Sequence, residues 1–167
     1  MAIKDSLLPE YDHEAATTRR LLERVPEADF AWKPHEKSFS LGQLAFHIAN
    51  IPTWGLNILD RTSFDLAERG DDARPKDPTT HRDLLAQFDA NIASARARIV
   101  ERTDPEMLVP WSLQRGSQEM FTLPRISALR SFVMNHMIHH RGQLSVYLRL
   151  RNVALPPIYG PTADEGF

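Results

Sequence analysis

Apolar residues in this chain recur every three or four positions over four long stretches, the period of helices that bury one face. The first stretch runs from Ile3 to about Val25, with Leu7, Tyr11, Ala15, Leu22 and Val25 on its stripe. Pro26 ends it, because proline pushes the residue before it out of helical geometry. The second starts at Ser40, where Ser40-Leu41-Gly42-Gln43 fits a capping box, and runs to about Asp60. Pro52 lies in its midst and predicts a kink. The third spans Thr80 to Arg102, with Leu84, Leu85, Phe88, Ile92, Ala95 and Ile99 as its stripe. The fourth follows Pro124 and reaches about Asn152. The stretch Phe64 to Thr79 is polar, holds Gly70, Pro75 and Pro78, and reads as a loop. Val109–Leu113 and Glu119–Thr122 flank Gln114-Arg115-Gly116-Ser117, as either a short hairpin or an ordered loop. The tail Leu155–Pro161 is too rich in proline to be helical. The expected fold is all-α: a four-helix bundle with long connections, forming a single domain over residues 1–167.

Composition removes several function classes. The chain has 167 residues and no Cys, which excludes disulfides, thiolate metal ligands and a protein thiol nucleophile. Lys and Arg number 20 against 22 Asp and Glu, a net charge of −2, without the basic balance or stripe of a nucleic-acid binder. The most apolar windows, Leu41–Leu59 and Ile126–Leu150, are interrupted by His, Asn, Gln and Arg, so no membrane span is expected. Met1–Asp5 carries no apolar run of signal-peptide type, and a cytoplasmic location is expected.

The chemistry must come from histidines. On the second helix His47 falls within about 60° of Leu44, Ile51, Trp54 and Ile58, in the middle of the apolar stripe. Alone it would read as a core histidine with one hydrogen-bond partner. On the fourth helix His136 and His140 are four residues apart, so both side chains emerge on one face. Leu129, Val133, Leu144 and Tyr147 share that sector. Three imidazoles facing one core need partners and would repel if protonated. A divalent cation meets both demands, and three protein ligands leave positions open for water or substrate. His139 lies about 100° from His140, at the edge of the sector. It is a weaker ligand candidate, suited equally to a helix boundary or a dimer contact. His13, His35 and His81 fall off the stripe, in a connection, and near a helix start, and read as structural. The alternative of a bundle with no metal stays open.

The string Leu41-Gly-Gln-Leu-Ala-Phe-His47-Ile-Ala, with His136-Met-Ile-His-His140-Arg-Gly-Gln143-Leu-Ser-Val-Tyr147 some ninety residues on, resembles the DinB-like (DinB/YfiT) family. The tail Pro156-Pro-Ile-Tyr-Gly-Pro-Thr-Ala-Asp164-Glu is similar to that family's ending. The resemblance implies a four-helix bundle with a divalent metal held by His47, His136 and His140. It also implies relatives that include thiol-dependent S-transferases and isomerases using low-molecular-weight thiols.

The neighbours of the histidines have roles of their own. Gln143 falls about 20° from His136 and points toward the site, to orient an imidazole or a metal-bound water, or to bond another helix. Arg141 points away, which predicts an ion pair with Asp164 or Glu165 in the tail. Gly142 would allow another helix to approach. Trp54 and Tyr147 share the ligand faces and can line a pocket or serve as core. The leading expectation is a Zn²⁺- or Ni²⁺-dependent enzyme that transfers a low-molecular-weight thiol to an electrophilic small-molecule substrate. Because the chain has no Cys, the thiol must be a cosubstrate. Metal-dependent hydrolysis is the near alternative, although no Asp or Glu stands between or beside His136 and His140 to act as general base. A non-catalytic metal- or small-ligand-binding bundle is the alternative of another class. Phe46 and Phe132, at the margins of the ligand faces, would form with His139 an apolar patch for a homodimer.

Overall fold

The computed structural model describes residues 1–68 and 80–166. It is mostly helical, with α1 at Ile3–Leu22, α2 at Leu41–Asn50, α3 at Thr53–Asp60, α4 at His81–Glu101 and α5 at Asp104–Met107. A further stretch begins with α6 at Arg125–Leu129, continues as a π-helical turn over Arg130–Asn135, and runs on as α7 at His136–Leu150. The strands are β1 at Ser63–Asp65, β2 at Pro110–Arg115 and β3 at Gln118–Pro124.

The strands correct the all-α expectation. β2 and β3 form the hairpin, antiparallel with Trp111 opposite Leu123, and Gly116 turns it at φ +60°. β1 adds in parallel to β2, with Ser63 opposite Ser112, giving the order β1-β2-β3. Phe64 and Asp65 therefore lie in a strand and residues 66–68 in a short 3₁₀ turn, where a loop was expected. The rest of that loop expectation, with Gly70, Pro75 and Pro78, falls outside the described residues.

Two helix boundaries also move. α1 stops at Leu22, and the turns Arg24 N–H to Leu21 and Val25 N–H to Leu22 finish it before Pro26. Pro52 does more than kink the second stretch; it divides it into α2 and α3. Its missing N–H would leave carbonyls unsatisfied at the break. Ile51 N–H bonds the Ile48 carbonyl at 3.3 Å, Asn91 Nδ2 bonds that of Ala49 at 2.8 Å, and Thr53 Oγ1 bonds that of Asn50 at 2.7 Å. At the other end the capping box forms as read. Ser40 N–H donates to Gln43 Oε1 at 2.9 Å, and Gln43 N–H donates to Ser40 Oγ at 3.2 Å.

α4 packs against α1, α2 and α3, while α7 packs against α1 and α2. The core between them holds Leu7, Leu21, Leu44, Ile48, Leu84, Phe88, Met137, Leu144 and Leu148, all buried. Each such side chain contributes about 1.5–3 kcal/mol by leaving water. Gly55 lets α3 come close: a Cβ there would lie 3.2 Å from the Ala95 Cβ and 3.7 Å from Leu129 Cδ2. Among the described residues nothing lies within 4 Å of the Gly142 Cβ position, so no helix of theirs approaches it there. No helix among the described residues is long and apolar enough to cross a membrane.

Arg141 does not pair with the tail carboxylates. It is buried and bonds Glu14 of α1, N to O 2.7 Å. Asp164 pairs with Arg149, and Glu165 with Arg24. The tail reaches Arg141 through Tyr159 instead, whose hydroxyl accepts from Arg141 Nη2 at 2.6 Å.

Candidate metal centre

The fold brings His47 of α2 to His136 and His140 of α7. One ring nitrogen from each lies within 4.8 Å of the others. His47 Nε2 and His136 Nε2 are 3.2 Å apart. Two ligands on a tetrahedral zinc, with bonds of about 2.0–2.1 Å, sit about 3.3–3.4 Å apart, so this edge is already of the right length. The ring centroids are 5.0 Å apart for His47–His136, 4.5 Å for His47–His140 and 4.7 Å for His136–His140.

The remaining contacts bear on which ring nitrogens carry protons. His140 Nδ1 lies 2.7 Å from Gln143 Oε1, an acceptor, so the Nδ1 carries the proton and Nε2 keeps its lone pair. His136 hydrogen-bonds the backbone of Phe132, one turn earlier. A proton on Nδ1 would leave the Nε2 that faces His47 as the bare nitrogen. Burial holds the His136 ring below the usual imidazole range, and the neighbouring His140 adds to this. Burial likewise depresses His140, with His139 adding and the Gln143 bond opposing. Both rings are thus biased to the neutral form that can donate to a cation. A three-imidazole donor set with no thiolate could hold a divalent ion. Among the described residues the three histidines form this group by themselves, with no carboxylate in it.

The site is less buried than the helical period implies. His47, His136 and His140 are all only partly covered, and Gln143 is exposed. The buried face of α7 is instead Met137, Arg141, Leu144 and Leu148, one residue's rotation away. His139 is exposed, its ring 4.8 Å from that of His140, and it is not one of the three. His81 bonds the Leu22 carbonyl, 59 positions away, at 2.9 Å, and His35 accepts from Lys37 N–H two residues on at 3.2 Å, both structural contacts.

Aromatic side chains flank the histidines. Trp54 meets Phe64 at 5.2 Å and Phe132 at 6.1 Å, and Phe132 stacks on Phe121 at 5.1 Å. Since Phe132 stands one turn before His136, this cluster adjoins the histidine face. Tyr147, on the other side, meets Trp32 edge-on at 5.8 Å. Phe39, which nothing in the sequence pattern marks, is half exposed and lies 5.8 Å from the His47 ring. Phe46 is buried at 4% exposure and Phe132 belongs to the aromatic cluster. The expected surface patch of Phe46, Phe132 and His139 is therefore absent, and the dimer expectation loses the argument that carried it.

The whole chain can be set beside known proteins. It is 25% identical over 162 residues to the Bacillus subtilis (strain 168) protein YrdA, covering 96% of this chain and 90% of that one. Its fold is similar to a DinB-like protein from Bacillus cereus ATCC 10987, with a TM-score of 0.71 at 18% identity, covering 95% of this chain and 98% of that one. The DinB-like protein YjoA from Bacillus subtilis superposes with a TM-score of 0.71 at 19% identity, covering 92% and 97%. A DinB-family protein from Exiguobacterium sibiricum 255-15 gives 0.66 at 20% identity, covering 92% and 95%. The family model described as "DinB family" matches residues 2–166. The chain belongs to the DinB family.

Proposed function

We propose that this protein is a divalent-metal-dependent enzyme whose ion is held by His47, His136 and His140, and that it transfers a low-molecular-weight thiol to an electrophilic substrate. The observation that carries the reading is the 3.2 Å approach of His47 Nε2 to His136 Nε2 beside a His140 whose Nδ1–H is taken by Gln143. Zn²⁺ or Ni²⁺ bound there would act as a Lewis acid that makes a bound thiol anionic at neutral pH.

The chain's own residues supply the rest. The three rings leave coordination positions free on their open side, where partial exposure lets small molecules enter. Gln143 holds His140 in one tautomer and one orientation. The absence of Cys means that the sulfur nucleophile comes from solution. No carboxylate stands in the group to take a proton from water, which favours thiol transfer over hydrolysis. A single domain over 1–167, a four-helix bundle elaborated by the small sheet, and a cytoplasmic location complete this reading.

The same partial exposure also fits a metal-binding module without turnover. Elemental analysis of protein purified without a His-tag, followed by Zn²⁺ and Ni²⁺ titration and a thiol-conjugation panel, separates the two. Metal at one equivalent with conjugation that requires it supports the enzyme. Metal without turnover across a wide electrophile panel supports the module, and failure to bind either ion overturns both.

A further inference from the structure

The buried charge pair next to the histidines has no part in the chemistry above. Arg141 bonds the Glu14 carboxylate at 2.7 Å, and its Nη1 donates to the Glu14 backbone carbonyl and to Thr18 Oγ1, each at 3.2 Å. The Tyr159 hydroxyl lies 2.9 Å from both Glu14 carboxylate oxygens, and the Arg141 guanidinium sits 5.0 Å above the Tyr159 ring. Such a pair often adds little stability over well-packed apolar residues, and its best-attested use is to fix register.

α7 needs a device of that kind. The π-helical turn over Arg130–Asn135 ends directly before His136. Such a turn holds an extra residue, so the phase of α6 does not dictate the phase of α7. A one-residue slip would rotate both histidines by about 100°. Met137, Leu144 and Leu148 pack by non-directional contact and would tolerate a slip better than a guanidinium with four fixed acceptors. α7 touches both α1 and α2. With Arg141 locked toward α1, the adjacent His140 is turned toward α2, where His47 waits.

We infer that the Arg141–Glu14 pair sets the rotational register of α7 and so aims His136 and His140 at His47. Arg141 and Glu14 are positioning residues, and the inference rests on the metal-centre reading.

The test replaces both charges at once, Glu14→Leu with Arg141→Met, and uses Co²⁺ as the probe because its visible spectrum reports coordination geometry. The double variant should keep its helical circular dichroism, bind Co²⁺ at least about tenfold more weakly, and show shifted d–d bands. A folded double variant with wild-type affinity and spectrum overturns the inference. If the double variant does not fold, Arg141→Lys decides. It keeps the charge but loses the fork, and an unchanged Co²⁺ spectrum there overturns the inference equally.

A metal-free measurement separates this inference from the metal reading. The chain has no Cys, so a His47→Cys/His140→Cys variant carries a single thiol pair, placed where the wild-type ring centroids are 4.5 Å apart. Its yield with a short thiol-to-thiol cross-linker should fall several-fold when Glu14→Leu and Arg141→Met are added, whether or not the wild type binds metal. An undiminished yield overturns the register role, while wild-type protein that binds no Co²⁺ or Zn²⁺ overturns the metal reading alone.

Discussion

Gln143 accepts a hydrogen bond from His140 Nδ1 at 2.7 Å, one turn along the same helix. The contact forces the His140 lone pair onto Nε2, the nitrogen left free to bind an ion. Gln143→Ala should lower metal affinity about tenfold, the lower end of what the loss of such a ligand-orienting partner costs, because Gln143 is exposed. Gln143→Glu keeps an acceptor and should hold affinity near wild type. Isothermal titration with Zn²⁺ measures both.

His47→Ala, His136→Ala and His140→Ala should each weaken metal binding by at least about tenfold, since each removes a proposed ligand. His139→Ala should leave it unchanged, because His139 is exposed and lies outside the group. Loss of binding in His139→Ala with retention in His140→Ala would reverse the assignment.

The i, i+4 histidine pair and the capped start of α2 were legible because both are local and follow from the helical period. What lay beyond reach was mostly non-local. Glu14 and Arg141 are 127 positions apart, and the helical period points Arg141 away from the histidines without revealing that this direction is the core. A signal did exist on α1, where Glu14 stands in step with Leu7, Tyr11, Thr18 and Leu21 on the buried stripe. The π-helical turn leaves no mark in the hydrophobic pattern, yet it separates the phase of α6 from that of α7. For that reason the hydrophobic pattern points to the histidine face as the core, while in the fold it is the margin. The parallel pairing of β1 with β2 spans from Ser63 to Ser112 and has no local signature, since three residues make too short a strand to show alternation.

Acid should act on the site twice. His136 and His140 are both held below the ordinary imidazole value of about 6.5. In the metal-free protein the unfolded chain therefore takes up protons at these positions before the folded one does. Stability is fully present above about pH 7 and falls as pH drops from about 6.5 toward the lowered folded values. Protons also compete with the ion, so bound metal should be released below about pH 6. Thermal melts of the metal-free protein against pH, and metal retention against a chelator, check the two parts. Metal that stays fully bound at pH 4.5 in chelator would refute a three-imidazole site.

Two helical glycines should respond in opposite ways to an added side chain. Gly142 is exposed, with nothing among the described residues within 4 Å of its Cβ position, so Gly142→Ala meets no neighbour there. It should raise stability by about 0.5–1 kcal/mol through helix propensity, with metal binding unchanged. Gly55 is buried where α3 meets α4, and its Cβ position is 3.2 Å from the Ala95 Cβ and 4.0 Å from Val133 Cγ2. Gly55→Val must push a branched side chain into that contact and should cost about 1–3 kcal/mol. The strain would also reach Val133, inside the π-helical turn that precedes His136, so a weaker metal site should accompany the lower stability. Urea unfolding of the metal-free variants gives the first quantity and Zn²⁺ titration the second. A Gly142→Ala variant less stable than wild type would show that another surface closes on α7 at that point.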